Sequence, residues 1–316
     1  MASYLVTGGA GFIGSHLVEE LVRRGHHVRV VDSLITGKRR NLDHVPGVEF
    51  VEGDLADVAV AARVVEGIAC VLHQAALPSV PRSVMDPITS NRANIDASVN
   101  ILVAARDAGV KRLVYAGSSS AYGNTPTLPK HEEMPTHPLS PYALQKLVAE
   151  QYAQLFTRLY GFETVTIRYF NVFGPRQDPS SPYSGVISLF ATALLEGRQP
   201  VIYGDGEQTR DFTYVANVVD GVLRAAEAPD VSGHVINVAT GGRISLNTLL
   251  RTMNEIVGTK LEPIYKEPRA GDVRDSQADI SKAKKLLGYT PIMSFEQGLK
   301  KTLDWCRASG ATGVRG

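Results

Sequence analysis

Tyr4-Leu-Val-Thr-Gly-Gly-Ala-Gly-Phe-Ile-Gly14 opens the chain with a short apolar run that leads into glycines at positions 8, 11 and 14. An amphipathic segment follows over 15–24, so the stretch predicts a strand, a tight turn and a helix. The three glycines differ in role. Gly8 makes the turn, Gly11 lets the backbone approach a pyrophosphate, and Gly14 lets the helix pack closely. The helix N-terminus adds unpaired N–H groups and a positive dipole end. A lone glycine-rich loop is more often only a turn. Here, however, the next apolar strand, 27–31, ends in Asp32, eighteen residues after Gly14, where a ribose-binding acid is expected. A carboxylate there accepts from both ribose hydroxyls and repels a 2′-phosphate, which favours NAD over NADP. Lys38, Arg39 and Arg40 follow closely and are the residues that would argue for NADP.

Tyr142-Ala-Leu-Gln-Lys146 supplies a candidate for chemistry. A tyrosine and a lysine four apart project from one helix face, so an ammonium near the phenol would favour phenolate and make Tyr142 a base. Alone the pair is a frequent coincidence, a packed aromatic beside a solvated lysine. The dinucleotide loop upstream gives it a mechanistic context.

With 316 residues and 44% apolar content, the chain can bury a large core, as one large or two ordinary domains. Its net charge of +1, without a long basic block, argues against nucleic-acid or membrane-surface partners. The sequence has no run long enough to span a bilayer, and Met1-Ala-Ser-Tyr enters a strand at once, which predicts no signal peptide and a cytoplasmic protein. Cys70 and Cys306 have neither metal-ligand nor redox spacing, and no metal is expected.

Strands are predicted at 4–7, 28–32, 48–52, 71–74, 112–116 and 164–169 with helices between them. This alternation implies an α/β fold, a Rossmann-type doubly wound parallel sheet. The later half is less regular, with Gly and Pro clusters at 173–183, 204–208 and 267–272, and a core helix and strand return at 212–228 and 234–238. The expected organisation is a NAD-binding domain over 1–170 plus about 212–240, with a smaller interleaved substrate lobe over 171–211 plus about 241–316.

Gly53-Asp-Leu55, His73-Gln-Ala-Ala76, Ser118-Ser-Ser-Ala-Tyr-Gly123, Tyr142 with Lys146, and Arg168-Tyr-Phe-Asn-Val-Phe-Gly174 follow the glycine loop in order. Together they resemble an extended short-chain dehydrogenase/reductase of the NAD-dependent nucleotide-sugar epimerase/dehydratase group, from the first strand to about Trp305. Within it the chain is most similar to UDP-N-acetylglucosamine and UDP-glucose 4-epimerases, through Gln74-Ala-Ala-Leu-Pro-Ser-Val-Pro-Arg-Ser83 and Arg269-Ala-Gly-Asp-Val-Arg-Asp-Ser-Gln-Ala-Asp279. The resemblance implies that Phe12 and Ile13 lie against the pyrophosphate, Asp32, Ser33 and Lys38 around the adenosine ribose, and Asp54 and Leu55 beside the adenine. Gln74, Ala75, Ala76, Asn94 and Tyr169 are then expected to line the cofactor. Ser118, Tyr142 and Lys146 become the catalytic set. Ser119 and Ser120 leave the serine register open, with Ser118 ranked first and Ser120 a substrate contact. Ser79, Asn171, Arg210, Arg269 and Asp272 are expected on the UDP-sugar; arginine suits a pyrophosphate because its planar fork pairs two oxygens.

The resemblance implies 4-epimerisation of a UDP-hexose or UDP-N-acetylhexosamine through a transient 4-ketose, by a homodimer assembled through helices near 95–109 and 141–160. A 4,6-dehydratase or decarboxylase of the group would place carboxylates beside the serine, where this chain has Ser118-Ser-Ser-Ala121. A non-catalytic NAD-binding scaffold is the alternative of another class, since fold does not imply function. Ser276, four residues after Asp272, stands where a tyrosine marks epimerases restricted to unacetylated sugars, and so implies room for an N-acetyl group. Pro78 bears on the opposite wall of that pocket.

Overall fold

The computed structural model describes residues 1–178, 185–268 and 273–310. The first half runs β1 (Ser3–Thr7), α1 (Phe12–Arg23), β2 (His27–Asp32), β3 (Glu49–Glu52), α2 (Val58–Val64), β4 (Cys70–His73), α3 (Val80–Met85), α4 (Pro87–Asn91), α5 (Ala97–Asp107), β5 (Arg112–Ser118), α6 (Pro141–Tyr160) and β6 (Glu163–Tyr169). It continues with β7 (Val172–Phe173), α7 (Val186–Leu195), β8 (Val201–Tyr203), β9 (Thr209–Arg210), β10 (Thr213–Tyr214), α8 (Val215–Glu227), β11 (Val235–Val238) and β12 (Ile244–Ser245). α9 (Leu246–Val257), β13 (Ile264–Lys266), α10 (Ser281–Leu287) and α11 (Phe295–Ala308) complete it.

Seven strands form one sheet in the order β11-β6-β5-β4-β1-β2-β3, all parallel. Leu5 and Val6 are adjacent on β1 and both fully buried, so helices cover both faces of the sheet. Complete burial of each such side chain favours the fold by ~1.5–3 kcal/mol. The chain reverses its direction of travel across the sheet between β1 and β4, and the crevice at such a switch point is where doubly wound folds bind dinucleotides.

The strands form where the apolar runs predict them, with ends shifted by a residue or two. β5 runs two residues past the expected 112–116 and so carries Ser118 out to the sheet edge. The helix expected over 212–228 starts only at Val215, because Thr213 and Tyr214 instead pair in parallel with Val172 and Phe173. Similarly, the helix expected from residue 95 starts at Ala97, after a π-helical turn over Arg92–Asp96. In the later half β11 joins the large sheet, and two-stranded pairs β7/β10, β9/β12 and β8/β13 form beside it. Their core is not separate: one buried cluster runs from Val6 and Val30 through Val218 and Val222 to Ile202, Leu249 and Leu299. Among the described residues, no helix is long and apolar enough to cross a membrane.

Candidate active site

The glycine turn is built as the sequence requires. Gly8 has φ +64°, and a Cβ there would stand 2.8 Å from the backbone of Ala75. A Cβ on Gly14 would come within 2.2 Å of the Gly8 carbonyl oxygen, so only glycine lets α1 start this close to β1. α1 begins at N-cap Gly11 with no side-chain cap, which leaves its first-turn amides for an anion. Asp32 closes β2 beside them. Its buried carboxylate accepts from the amides of Ala10 (2.9 Å) and Leu34 (2.8 Å), while burial pushes its pKa up against these bonds. Lys38 is ion-paired with Asp178 at 2.5 Å, and the Arg39 guanidinium stacks 3.8 Å over Phe50. Two of the three cations that argued for NADP thus have partners of their own. The cradle and acid fit NAD, and a buried amide nitrogen on the adjoining loop, Nε2 of Gln74, has no partner among the described residues.

Ser118 ends β5, and Ser140 caps α6 by accepting from the Ala143 amide at 3.1 Å, with Pro141 in the first turn. This arrangement sets the Tyr142 phenol beside the Ser118 side chain, which favours the charged form of the phenol. Ser118 Oγ also lies 2.8 Å from Ser120 Oγ. Ser118 is therefore the member of the serine run that lies beside Tyr142. Lys146 is buried one turn further on, its Nζ donating to the Ala116 carbonyl at 2.9 Å and lying 5.0 Å from the Tyr115 ring centre.

The electrostatics differ from the expectation that Lys146 stabilises a phenolate. Burial raises the Tyr142 pKa, offset in part by the Ser118 hydrogen bond, and burial alone lowers Lys146 to about 7. In the chain by itself, desolvation dominates both groups.

Along the expected cofactor wall, Tyr169 donates from its hydroxyl to Gln74 Oε1 at 2.9 Å, and Ala75 approaches Gly8. Asp54 accepts from the Ala56 amide, and the Leu55 carbonyl accepts from Asn100. Asn94, expected near the cofactor, has its amide engaged inside the protein: Oδ1 accepts from the Leu77 amide (2.8 Å) and Nδ2 donates to Gln145 Oε1 (2.9 Å). Ser79 caps α3 by accepting from the Arg82 amide. On the opposite side, Asn171 (φ +34°) donates from Nδ2 to the Asp211 carbonyl, while the Ser276 amide donates to the Thr209 carbonyl at 3.1 Å. These contacts gather Asn171, Arg210 and Ser276 around the segment 209–211. Arg269 and Asp272 lie outside the described residues.

Residues 4–239 match the NAD dependent epimerase/dehydratase family. The chain belongs to this family. A UDP-glucose 4-epimerase of Mycolicibacterium smegmatis is 40% identical to it over 96% of this chain and 98% of that protein. Among solved structures, a UDP-N-acetylglucosamine 4-epimerase from Methanobrevibacter ruminantium, in complex with UDP-N-acetylmuramic acid, superposes with a TM-score of 0.93 at 39% identity, over 98% of this chain and 99% of that one. A UDP-glucose 4-epimerase of Thermus thermophilus in complex with NAD gives 0.89 at 37% identity, over 97% and 99%.

Several supports of this family site carried no signal in the sequence. Ser83 Oγ accepts from the Tyr142 amide at 3.0 Å. Gln145 sits inside the tyrosine-to-lysine turn, where a glutamine reads as solvated, yet it is buried and accepts from Ser90 and Asn94. Asp211, fully buried, accepts from Thr240 N (3.0 Å) and Oγ1 (2.6 Å), and from the amides of Gly241 (2.9 Å) and Ala278 (3.2 Å). Its place directly after Arg210 was the one available hint.

Proposed function

We propose that the chain is a NAD-dependent 4-epimerase of UDP-hexoses and UDP-N-acetylhexosamines. The observation that carries this reading is the nearness of Ser118 to Tyr142, one helical turn from Lys146, at the carboxyl end of the sheet that holds the glycine cradle. NAD, when bound, supplies the hydride acceptor and donor and a positive charge in the site.

Tyr142 accepts the proton of the sugar 4-hydroxyl as the C4–H bond breaks. Ser118 bonds the same oxygen and passes the proton on, with Ser120 beside it as a substrate contact. The product of this half-reaction is a 4-ketose. Return of the hydrogen to its other face, with the proton delivered back from Tyr142, gives the C4 epimer with no net redox change. Lys146, one helical turn further along α6, adds positive charge near the phenol when it is protonated. Without added positive charge, desolvation keeps Tyr142 protonated.

In this reading Arg210, Arg269 and Asn171 hold the pyrophosphate, Asp272 the uridine ribose, and Ser276 leaves space for an N-acetyl group at C2. The NAD-binding unit is 1–170 with about 212–240, and the rest forms the substrate lobe. The absence of a carboxylate in Ser118-Ser-Ser-Ala121 speaks against dehydration or decarboxylation. A homodimer through α5 and α6 is supported by exposed Leu144, Tyr152, Leu155 and Leu159, whose steps of eight, three and four residues put them on one face of α6.

Incubation of the purified protein with UDP-Glc, UDP-Gal, UDP-GlcNAc and UDP-GalNAc in turn tests the function. The reading requires the C4 epimer from at least one plain and one acetylated sugar. A 4-keto-6-deoxy product would establish dehydration instead, and a protein that binds NAD yet never reduces it with any UDP-sugar would be a scaffold.

A further inference from the structure

We propose that His73 is a positioning residue: a neutral imidazole, locked as the Nε2–H tautomer in a one-way hydrogen-bond chain that joins the cofactor loop to the catalytic helix.

The direction of the chain follows from counting protons and lone pairs. Thr7 Oγ1 is buried and accepts from two amides, Gln74 N and Ala75 N, each at 3.1 Å. The Gln74 amide shares its proton with the Thr7 carbonyl at 3.2 Å, but the two amides together face the lone pairs of Oγ1, so the hydroxyl proton goes to the remaining neighbour, His73 Nδ1, at 2.7 Å. Nδ1 is thereby an acceptor, and the ring proton sits on Nε2, which donates to Ser98 Oγ at 2.9 Å. Ser98 passes the chain on, donating to the Asn94 carbonyl at 2.6 Å. Each member is buried, so water cannot substitute for a missing link.

The two ends of the chain give it a purpose. At the start, Gln74 and Ala75 form the loop that closes on Gly8. At the far end, Asn94 lies in the π-helical turn, and its amide bonds the Leu77 amide of the same loop and Gln145, the neighbour of Lys146. The Tyr115 hydroxyl donates to the Lys146 carbonyl at 3.3 Å. The loop and the catalytic helix are thus held in register by a set of polar contacts, of which the stretch from Thr7 through His73 and Ser98 to the Asn94 carbonyl works with one tautomer only. Neutrality also matters to Lys146: a charged imidazole would add a second buried cation near the ammonium, and burial with the influence of Lys146 pushes the His73 pKa down to about 3.

Imidazole ¹⁵N NMR of the histidine-labelled holoenzyme reads the tautomer directly, with His73→Gln identifying the signal among eight histidines. The proposal requires a pyrrole-like Nε2 and a pyridine-like Nδ1, unchanged between about pH 5 and about pH 9. Ser98→Ala and His73→Phe should each lower kcat by about 10-fold or more, since misplaced catalytic groups are costly, while KM for the UDP-sugar stays the same. The double variant should lose no more than the worse single one, because both cut the same chain. An Nδ1–H tautomer, titration within that range, a normal kcat in Ser98→Ala, or additive losses would overturn the proposal. If His73→Phe does not fold, the NMR signature and Ser98→Ala still decide it.

Discussion

Tyr142 and Lys146 carry opposing demands, since Lys146 is buried and Tyr142 half-buried while the proposed mechanism needs the charged form of both. Tyr142→Phe keeps the packed ring and removes the proton acceptor, so turnover should fall by at least ~100-fold, the lower range of general acid–base contributions. NAD should remain bound. Turnover comparable to the parent in a coupled epimerase assay would take Tyr142 out of the mechanism. Lys146→Ala removes the positive charge that favours phenolate, so the phenol pKa in the loaded enzyme rises. The alkaline-side pH optimum should then move upward as the maximal rate drops. The pH–rate profile measures this, and an unshifted profile would leave Lys146 only its bond to the Ala116 carbonyl.

At the scale of elements, the decisive contact is that of α1 with the β1 turn. Gly14→Ala puts a Cβ 2.2 Å from the Gly8 carbonyl oxygen, and the helix start must shift to relieve it. Overpacking of this kind costs about 1–3 kcal/mol. The expected result is a folded protein with a lower Tm that has lost its NAD, measured as nicotinamide released on denaturation; full NAD occupancy would mean that the cradle tolerates the shift. This element was legible from the sequence because glycine spacing reports backbone geometry directly. β5 was legible through its apolar run, and α6 through the resemblance, which placed a helix near 141–160 where the structure has Pro141–Tyr160. The π-turn at Arg92–Asp96 was not, since its extra residue depends on the buried bonds of Asn94 and Ser98 to distant partners. Nor was the late start of α8, where pairing of Thr213 and Tyr214 with β7 overrides a helical pattern. Ser118 was ranked first by resemblance, and its nearness to Tyr142 supports that order. The partners of Lys38 and Asn94 could not be read, because Asp178 and Gln145 are distant in sequence.

For the whole molecule, assembly and substrate choice remain to be measured together. Leu155→Asp places a carboxylate in the exposed apolar stripe of α6, and light scattering coupled to size exclusion should show a dimer become a monomer. An unchanged dimer would place the interface elsewhere. Ser276→Tyr fills space beside segment 209–211, so kcat/KM for the acetylated pair should fall at least about tenfold relative to the plain pair. Equal loss on both pairs would move Ser276 out of the selectivity wall. The central claim is that one site takes hydrogen from C4 and returns it to the opposite face of the same carbon. UDP-glucose and UDP-N-acetylglucosamine labelled with deuterium at C4 test it most directly, with the products followed by NMR and mass spectrometry. The account predicts the C4 epimer with its deuterium retained at C4, whereas no epimer from either sugar, or an epimer whose label has been lost or moved, would contradict it.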